Sequence, residues 1–151
     1  MPYKGWKEFG AKIRTLVKVL RKTKLISNPE RFSMKYIDIL PSGDEPTIAG
    51  LDVVITLGDQ NINVHPLHLR TEVVEEGFLN IVQIISPANA QLLGGEIITG
   101  VLVDNDTIYN HMSGDFWENF SKQLDLVHKV NKKMFFNLLT EAAITNLEPE
   151  Y

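Results

Sequence analysis

From Trp6 to Leu20 the apolar positions are Trp6, Phe9, Ile13, Leu16, Val17 and Leu20, the three-and-four spacing that gathers side chains on one side of an α-helix. At about 100° per residue the six fill an arc of roughly 100°. Lys7, Arg14, Lys18, Arg21 and Lys22 stand on the opposite side. The spacing predicts an amphipathic helix that ends at Ser27-Asn28-Pro29, because a residue before proline is pushed out of the helical region.

The pattern then changes to period two. Arg31 to Leu40, Leu51 to Leu57, Leu67 to Glu75, Phe78 to Ser86 and Ile97 to Asp104 alternate apolar with polar or opposing apolar residues, which predicts five strands. Turn chemistry separates them: Pro41-Ser42-Gly43-Asp44-Glu45-Pro46, Gly58-Asp59-Gln60-Asn61, Glu75-Glu76-Gly77, and a longer loop with Pro87 and Gly94-Gly95. Connections this short leave no room for crossover helices, so the expected sheet is an antiparallel meander.

Asp115, with Glu118 three residues on, opens the last element as a variant capping box. Trp117, Phe120, Leu124, Val127, Met134 and Leu138 carry a helical stripe in which Asn131 takes an apolar slot. Glu118 with Lys122, and Asp125 with Lys129, are favourably spaced pairs. Unbroken from Phe116 to Thr145, the helix would be about 45 Å long, against the ~20 Å of a typical strand. It must bend, with Asn131 the natural place, or project toward a partner; Phe135, Leu139 and Ile144 beside the main stripe would then offer an interaction surface.

The chain has 151 residues, 44% of them hydrophobic and 23% charged, the size and composition of one α+β domain over its whole length. There is no cysteine, which excludes disulfides, thiolate nucleophiles and cysteine-bound metals. No apolar run is long enough for a membrane span or a signal peptide, so the expectation is a cytoplasmic protein without membrane contact. Residues 1–24 carry a net +7 within a total of −4. That asymmetry makes Lys7, Arg14, Lys18, Arg21 and Lys22 a candidate interaction surface. Nucleic acid is disfavoured as its partner, since the chain is acidic overall and the helix's own aromatic residues lie away from the lysines.

Candidate chemistry is sparse. His65 and His68 are three apart, which places them on opposite faces if both lie on a strand, so they converge only if His65 lies in the preceding loop. Asp104 and Asp106 after an apolar run resemble the first motif of haloacid-dehalogenase-type phosphatases, in which two aspartates stand beside magnesium. That motif needs a parallel sheet and further carboxylates downstream, and most of the chain beyond Asp106 reads as one helix. His111 and His128 have no nucleophile to serve, and no phosphate loop is present. No catalytic residue, metal ligand or cofactor site is expected.

The chain resembles the C-terminal half of a sporadically distributed, uncharacterised bacterial and archaeal family. The resemblance rests on Tyr3, Trp6 and Phe9, on Arg31-Phe32-Ser33-Met34-Lys35-Tyr36-Ile37-Asp38, on Val103-Asp104, and on Leu124-Asp125-Leu126-Val127-His128 with Phe135 and Leu139-Thr140. Lys35 and Asp38 stand where that family carries Arg and Asn. The resemblance implies an α+β prokaryotic protein and carries over no activity.

The expected architecture is an N-terminal amphipathic helix, a five-stranded largely antiparallel sheet and a long C-terminal helix. Strands apolar on both faces, with Leu79, Ile81 and Ile85 opposing Phe78, Val82 and Ile84, need more cover than two helices on one face supply. The expected role is a non-catalytic interaction module in a homo-oligomer or larger complex. The alternative is a binding protein for a small ligand or peptide, with a cavity between the sheet and the long helix.

Overall fold

The computed structural model describes residues 5–27, 29–42, 45, 47–92, 94–110 and 115–147. Its elements are α1 (Trp6–Thr23), β1 (Phe32–Pro41), β2 (Thr56–Leu57), β3 (Gln60–Asn61), β4 (Leu67–Glu75), β5 (Phe78–Gln91), β6 (Ile97–Tyr109), α2 (Phe116–Asn137) and α3 (Glu141–Leu147). The chain is α+β. Four strands form the main sheet in the order β1-β6-β5-β4, every neighbour antiparallel. The short strands β2 and β3 pair only with each other.

The sheet therefore has four main strands where the pattern predicts five. Of Leu51 to Leu57 only Thr56–Leu57 is a strand, the exposed β2, while residues 51–55 alternate as expected but dock on the core as an irregular segment. Ile48 and Leu51 are buried, and Val53 and Ile55 pack beside them. Backbone groups that a strand would pair are taken elsewhere: the Asn63 amide donates to Val53 O and accepts from Ile55 N, and Asp52 N donates to Leu138 O. Alternating burial fixes which side chains point inward, and any backbone that satisfies its polar groups can deliver it.

The strands β5 and β6 outrun their expected ends at Ser86 and Asp104. A register shift between Ile85 and Ala88 holds the extra residue, and Pro87, which has no N–H to give, sits in that bulge. The turn between β4 and β5 is the tight hairpin expected, with both central residues at positive φ (Glu76 52°, Gly77 82°). At Gly100 the ends of β1 and β6 approach so closely that a Cβ would overlap the Leu40 carbonyl oxygen and lie 2.8 Å from its carbon; only glycine fits.

All helical cover lies on one face. On that face Met34 and Leu40 of β1, Val101 and Val103 of β6, and Phe78, Val82 and Ile84 of β5 are buried. The helix α2 crosses them with Phe120, Leu124, Val127, Val130 and Met134. The core falls into two clusters, one around Met34, Phe78 and Phe120, the other around Leu40, Ile48, Ile84 and Met134.

Asn131 sits where they meet. Its Nδ2 donates to Met34 O (3.1 Å), Asn105 O (3.0 Å) and Thr107 Oγ1 (2.9 Å), and its backbone carbonyl accepts from Asn105 Nδ2 (3.1 Å). Thr107 passes the chain to Asn80 Oδ1 (2.6 Å), and Asn80 Nδ2 reaches Val73 O (3.3 Å). One polar path thus joins α2 to all four strands, through residues exposed by at most 1% in Asn80, Asn105, Thr107 and Asn131. It also bears on why β6 continues past Asp104: Asn105 Nδ2 and Thr107 Oγ1 find partners inside the molecule rather than ending the strand.

The asparagine does not bend the helix. The break comes at Leu138–Thr140, where Asp52 N donates to Leu138 O, Thr140 N to Gly50 O, and Leu139 bridges Leu51. The Thr140 hydroxyl then accepts from Ala143 N and starts α3. At the other end Asp115 caps α2 as its position suggests, accepting from Trp117 N at 2.7 Å. The first helix stops at Thr23, before Ser27-Asn28-Pro29, with Lys24 left-handed at φ 57°.

Replacing Asn131 with Leu keeps the volume but removes the amide donor from Met34 O, Asn105 O and Thr107 Oγ1 in a dry site, a loss of about 1–3 kcal/mol. The melting temperature should fall by roughly 2–12 °C, and an unchanged urea midpoint would show that the network contributes nothing net.

Candidate functional site

The face of the sheet away from α2 carries a second set of apolar residues. Leu79, Ile81 and Ile85 of β5 register with Ile108, Asp106 and Leu102 of β6, while Ile37 and Ile39 of β1 register with Asp104 and Leu102. Neither core cluster contains any of them. Ile37 is 60% exposed and Val74, on the β4 edge of the same face, 74%.

A polar island sits in the middle of this apolar field. The Asp104 Oδ2 is 2.7 Å from Lys35 Nζ and accepts from Gln83 Nε2 at 3.2 Å. The hydrogen bond to Asp104 raises the Lys35 pKa. Asp104 is only 8% exposed, and neither its Oδ1 nor the Oδ1 of Asp106 has a hydrogen-bond partner, though both are shielded from solvent. Such acceptors are costly to leave unmet.

The phosphatase-like pair thus lies on the last strand of an antiparallel sheet, with a lysine as counter-ion. Among the described residues no three His, Asp or Glu side chains gather as they would around a metal ion. His65 is exposed in the turn before β4, and His68 on β4 lies 3.4 Å from Gln83 Oε1. His111 lies outside the described residues. His128 is half-buried at the α1–α2 contact, its ring stacked on Trp6 at 3.8 Å and its Nδ1 3.5 Å from the Tyr36 hydroxyl. Burial, with Lys132 adding to it, lowers its pKa.

The first helix packs against α2 rather than flat on the sheet, and by only one edge of its apolar arc. Trp6, Ile13 and Val17 reach the core, while Phe9 and Leu16 remain 42% and 69% exposed. This rotation brings part of the basic side to the helix–helix contact. Arg14 donates to Ser121 Oγ (2.8 Å) and pairs with Asp125, to which Trp6 Nε1 also points. Asp125 therefore serves α1, not the Lys129 that helical spacing suggests. Arg14, Lys18 and Arg21 line a groove between the helices, with Val17, Trp117, Phe120 and Ser121. Lys7 and Lys22 are exposed outside it.

The C-terminal candidates are placed differently from the expectation of a projecting surface. Leu139 is 5% exposed, and Phe135 and Ile144 pack on the cluster that holds it, because the break after α2 folds α3 back toward Ile48 and Leu51. Between the sheet and α2, where the alternative reading places a cavity, Val82, Ile84, Val101, Val103 and Val127 are each at most 2% exposed.

Among the described residues no helix is long and apolar enough to cross a membrane. Comparison of the chain with protein-family models, curated proteins and solved structures finds no match.

Asp38 lies on the covered face at the β1 edge, opposite Val103, and burial raises its pKa. A folded-state pKa above the unfolded value means that the carboxylate costs stability at neutral pH, and that this cost disappears as pH falls through the raised pKa. Asp38→Asn should therefore stabilise the fold at about pH 7 and lose its advantage toward about pH 4. Chemical denaturation at both pH values checks this; an equal effect at each would contradict it.

Proposed function

We propose that the protein is a non-catalytic interaction module that works by self-association, with the uncovered face of its sheet as the contact between copies. The observation that carries this reading is one-sided cover: both long helices lie on the same side, and the other side keeps an aliphatic field around a shielded, incompletely bonded aspartate. Large exposed apolar patches mark interaction surfaces.

Size supports a second copy as the occupant. Four strands ~4.8 Å apart and about ten residues long at ~3.3 Å each give a face of roughly 600 Å² in projection. Two such faces reach about 1,200 Å², the lower bound for a stable specific interface. Charge supports it as well. The face carries Lys35 and Arg70 alongside Asp104, Asp106 and Glu72, so it meets its own image with both signs available for pairing, as an isologous two-fold contact requires.

Light scattering after size exclusion tests this. The expected mass is at least twice the 17.1 kDa of the chain at about 100 µM, because a small wet interface is of micromolar strength. Ile37→Lys with Val74→Lys changes two side chains exposed by 60% and 74%; it should give a monomer with an unchanged circular dichroism spectrum. A wild-type monomer at that concentration would refute the proposal.

A further inference from the structure

The groove between α1 and α2 combines two features that the sequence keeps apart. Arg14, Lys18 and Arg21 lie along one line of α1 at intervals of four and three, spanning about 10 Å. Trp117 and Phe120, which read as core residues of α2, form the opposite wall with Ser121, and Val17 of α1 completes the lining. The cavity is about 260 Å³ in volume and no acidic residue lines it. Arg14 is neutralised by Asp125. Among the described residues neither Lys18 nor Arg21 has an ion-pair partner. The Trp117 Nε1 donates to Ser27 O at 3.3 Å, and Phe120 is 7% exposed, so the apolar wall is held in place.

We propose that this groove binds a small organic anion with a flat apolar body, an aryl carboxylate or aryl phosphate, its ring against Trp117 and Phe120 and its charge between Lys18 and Arg21. An anion recognised by charge alone would need no aromatic wall, and an uncharged ring would leave two cations unmatched. A guanidinium and an ammonium with no carboxylate between them favour an acidic headgroup by charge-assisted hydrogen bonds. The wall residues come from two helices, so the site exists only in the folded protein. It does not depend on self-association.

Calorimetric titration of the full chain with 2-naphthoate, 2-naphthamide and inorganic phosphate separates the two halves of the recognition. The expected result is saturable one-to-one binding of 2-naphthoate, at least about tenfold tighter than either comparison ligand. Lys18→Glu with Arg21→Glu alters two exposed side chains. It should weaken 2-naphthoate by about tenfold or more, with little change for the amide. Trp117→Phe, which keeps a ring, should weaken it less than the charge reversal. Equal affinity for naphthoate and naphthamide, equal affinity for naphthoate and phosphate, or no loss in the charge-reversed variant with an unaltered melting curve would each overturn the proposal. So would a single-stranded oligonucleotide that binds more tightly than naphthoate, since it would identify the groove as a nucleic-acid surface.

Discussion

A helix that lies on a sheet through apolar contacts alone can slide, because aliphatic surfaces accept many registers at similar cost. Asn131 removes that freedom. The two hydrogens of its Nδ2 are shared among Met34 O, Asn105 O and Thr107 Oγ1, and a displacement of α2 by one residue would leave buried donors and acceptors unpaired. The same contact fixes the sheet, since Thr107 and Asn80 are cross-strand partners whose hydroxyl–amide bond exists in a single register. The two apolar clusters on either side supply burial, and the polar path between them selects the arrangement.

Anchoring α2 in this way decides what the rest of the surface can do. With α2 committed to one face, α1 is left to pack along its flank through Trp6, Ile13 and Val17. The opposite face keeps Ile37, Ile39, Ile81, Ile85 and Leu102 without helical cover. The basic residues of α1 meet the aromatic start of α2 for the same reason. Both proposed surfaces thus arise from one placement: the sheet face that α2 leaves open, and the groove that α1 makes by leaning on α2.

Much of this is legible in the sequence. The periodicity of Trp6 to Leu20, the Glu76-Gly77 hairpin, the Asp115 cap and the two-faced pattern of β5 and β6 each rest on local rules, and the structure follows them. What cannot be read locally is which backbone partner a segment will find. Leu51 to Leu57 has a strand's alternation but its polar groups go to Asn63 and Leu138, and nothing local distinguishes the two outcomes. Asn131 reads as a bend because a polar residue in an apolar stripe has two explanations, a break in the helix or a buried partner, and Thr107 and Asn105 lie more than twenty residues away in the sequence. Trp117 and Phe120 read as core for the same reason; only the lean of α1 turns their edge into a groove wall. Asp104 has the sequence setting of a nucleophile, whereas its surroundings are a lysine, a glutamine amide and an unmet oxygen.

If Asn131 holds the cover to one side and the open side meets its own copy, two molecules must stack sheet to sheet at a fixed distance. Because the chain contains no cysteine, one introduced cysteine gives one spin label per molecule. Thr71→Cys places the label on the β4 edge strand, opposite Val82 and on the side away from the contact, where it can report on the contact without filling it. Stacked sheets lie about 10 Å apart and their strands ~4.8 Å apart, so labels on the outer sides of two facing copies fall roughly 20–40 Å from one another. Electron–electron dipolar spectroscopy should resolve that distance, and should lose it when Ile37→Lys and Val74→Lys are added. Labelled chains with no dipolar coupling at a concentration of about 100 µM, where micromolar contacts are populated, would contradict the pairing of open faces.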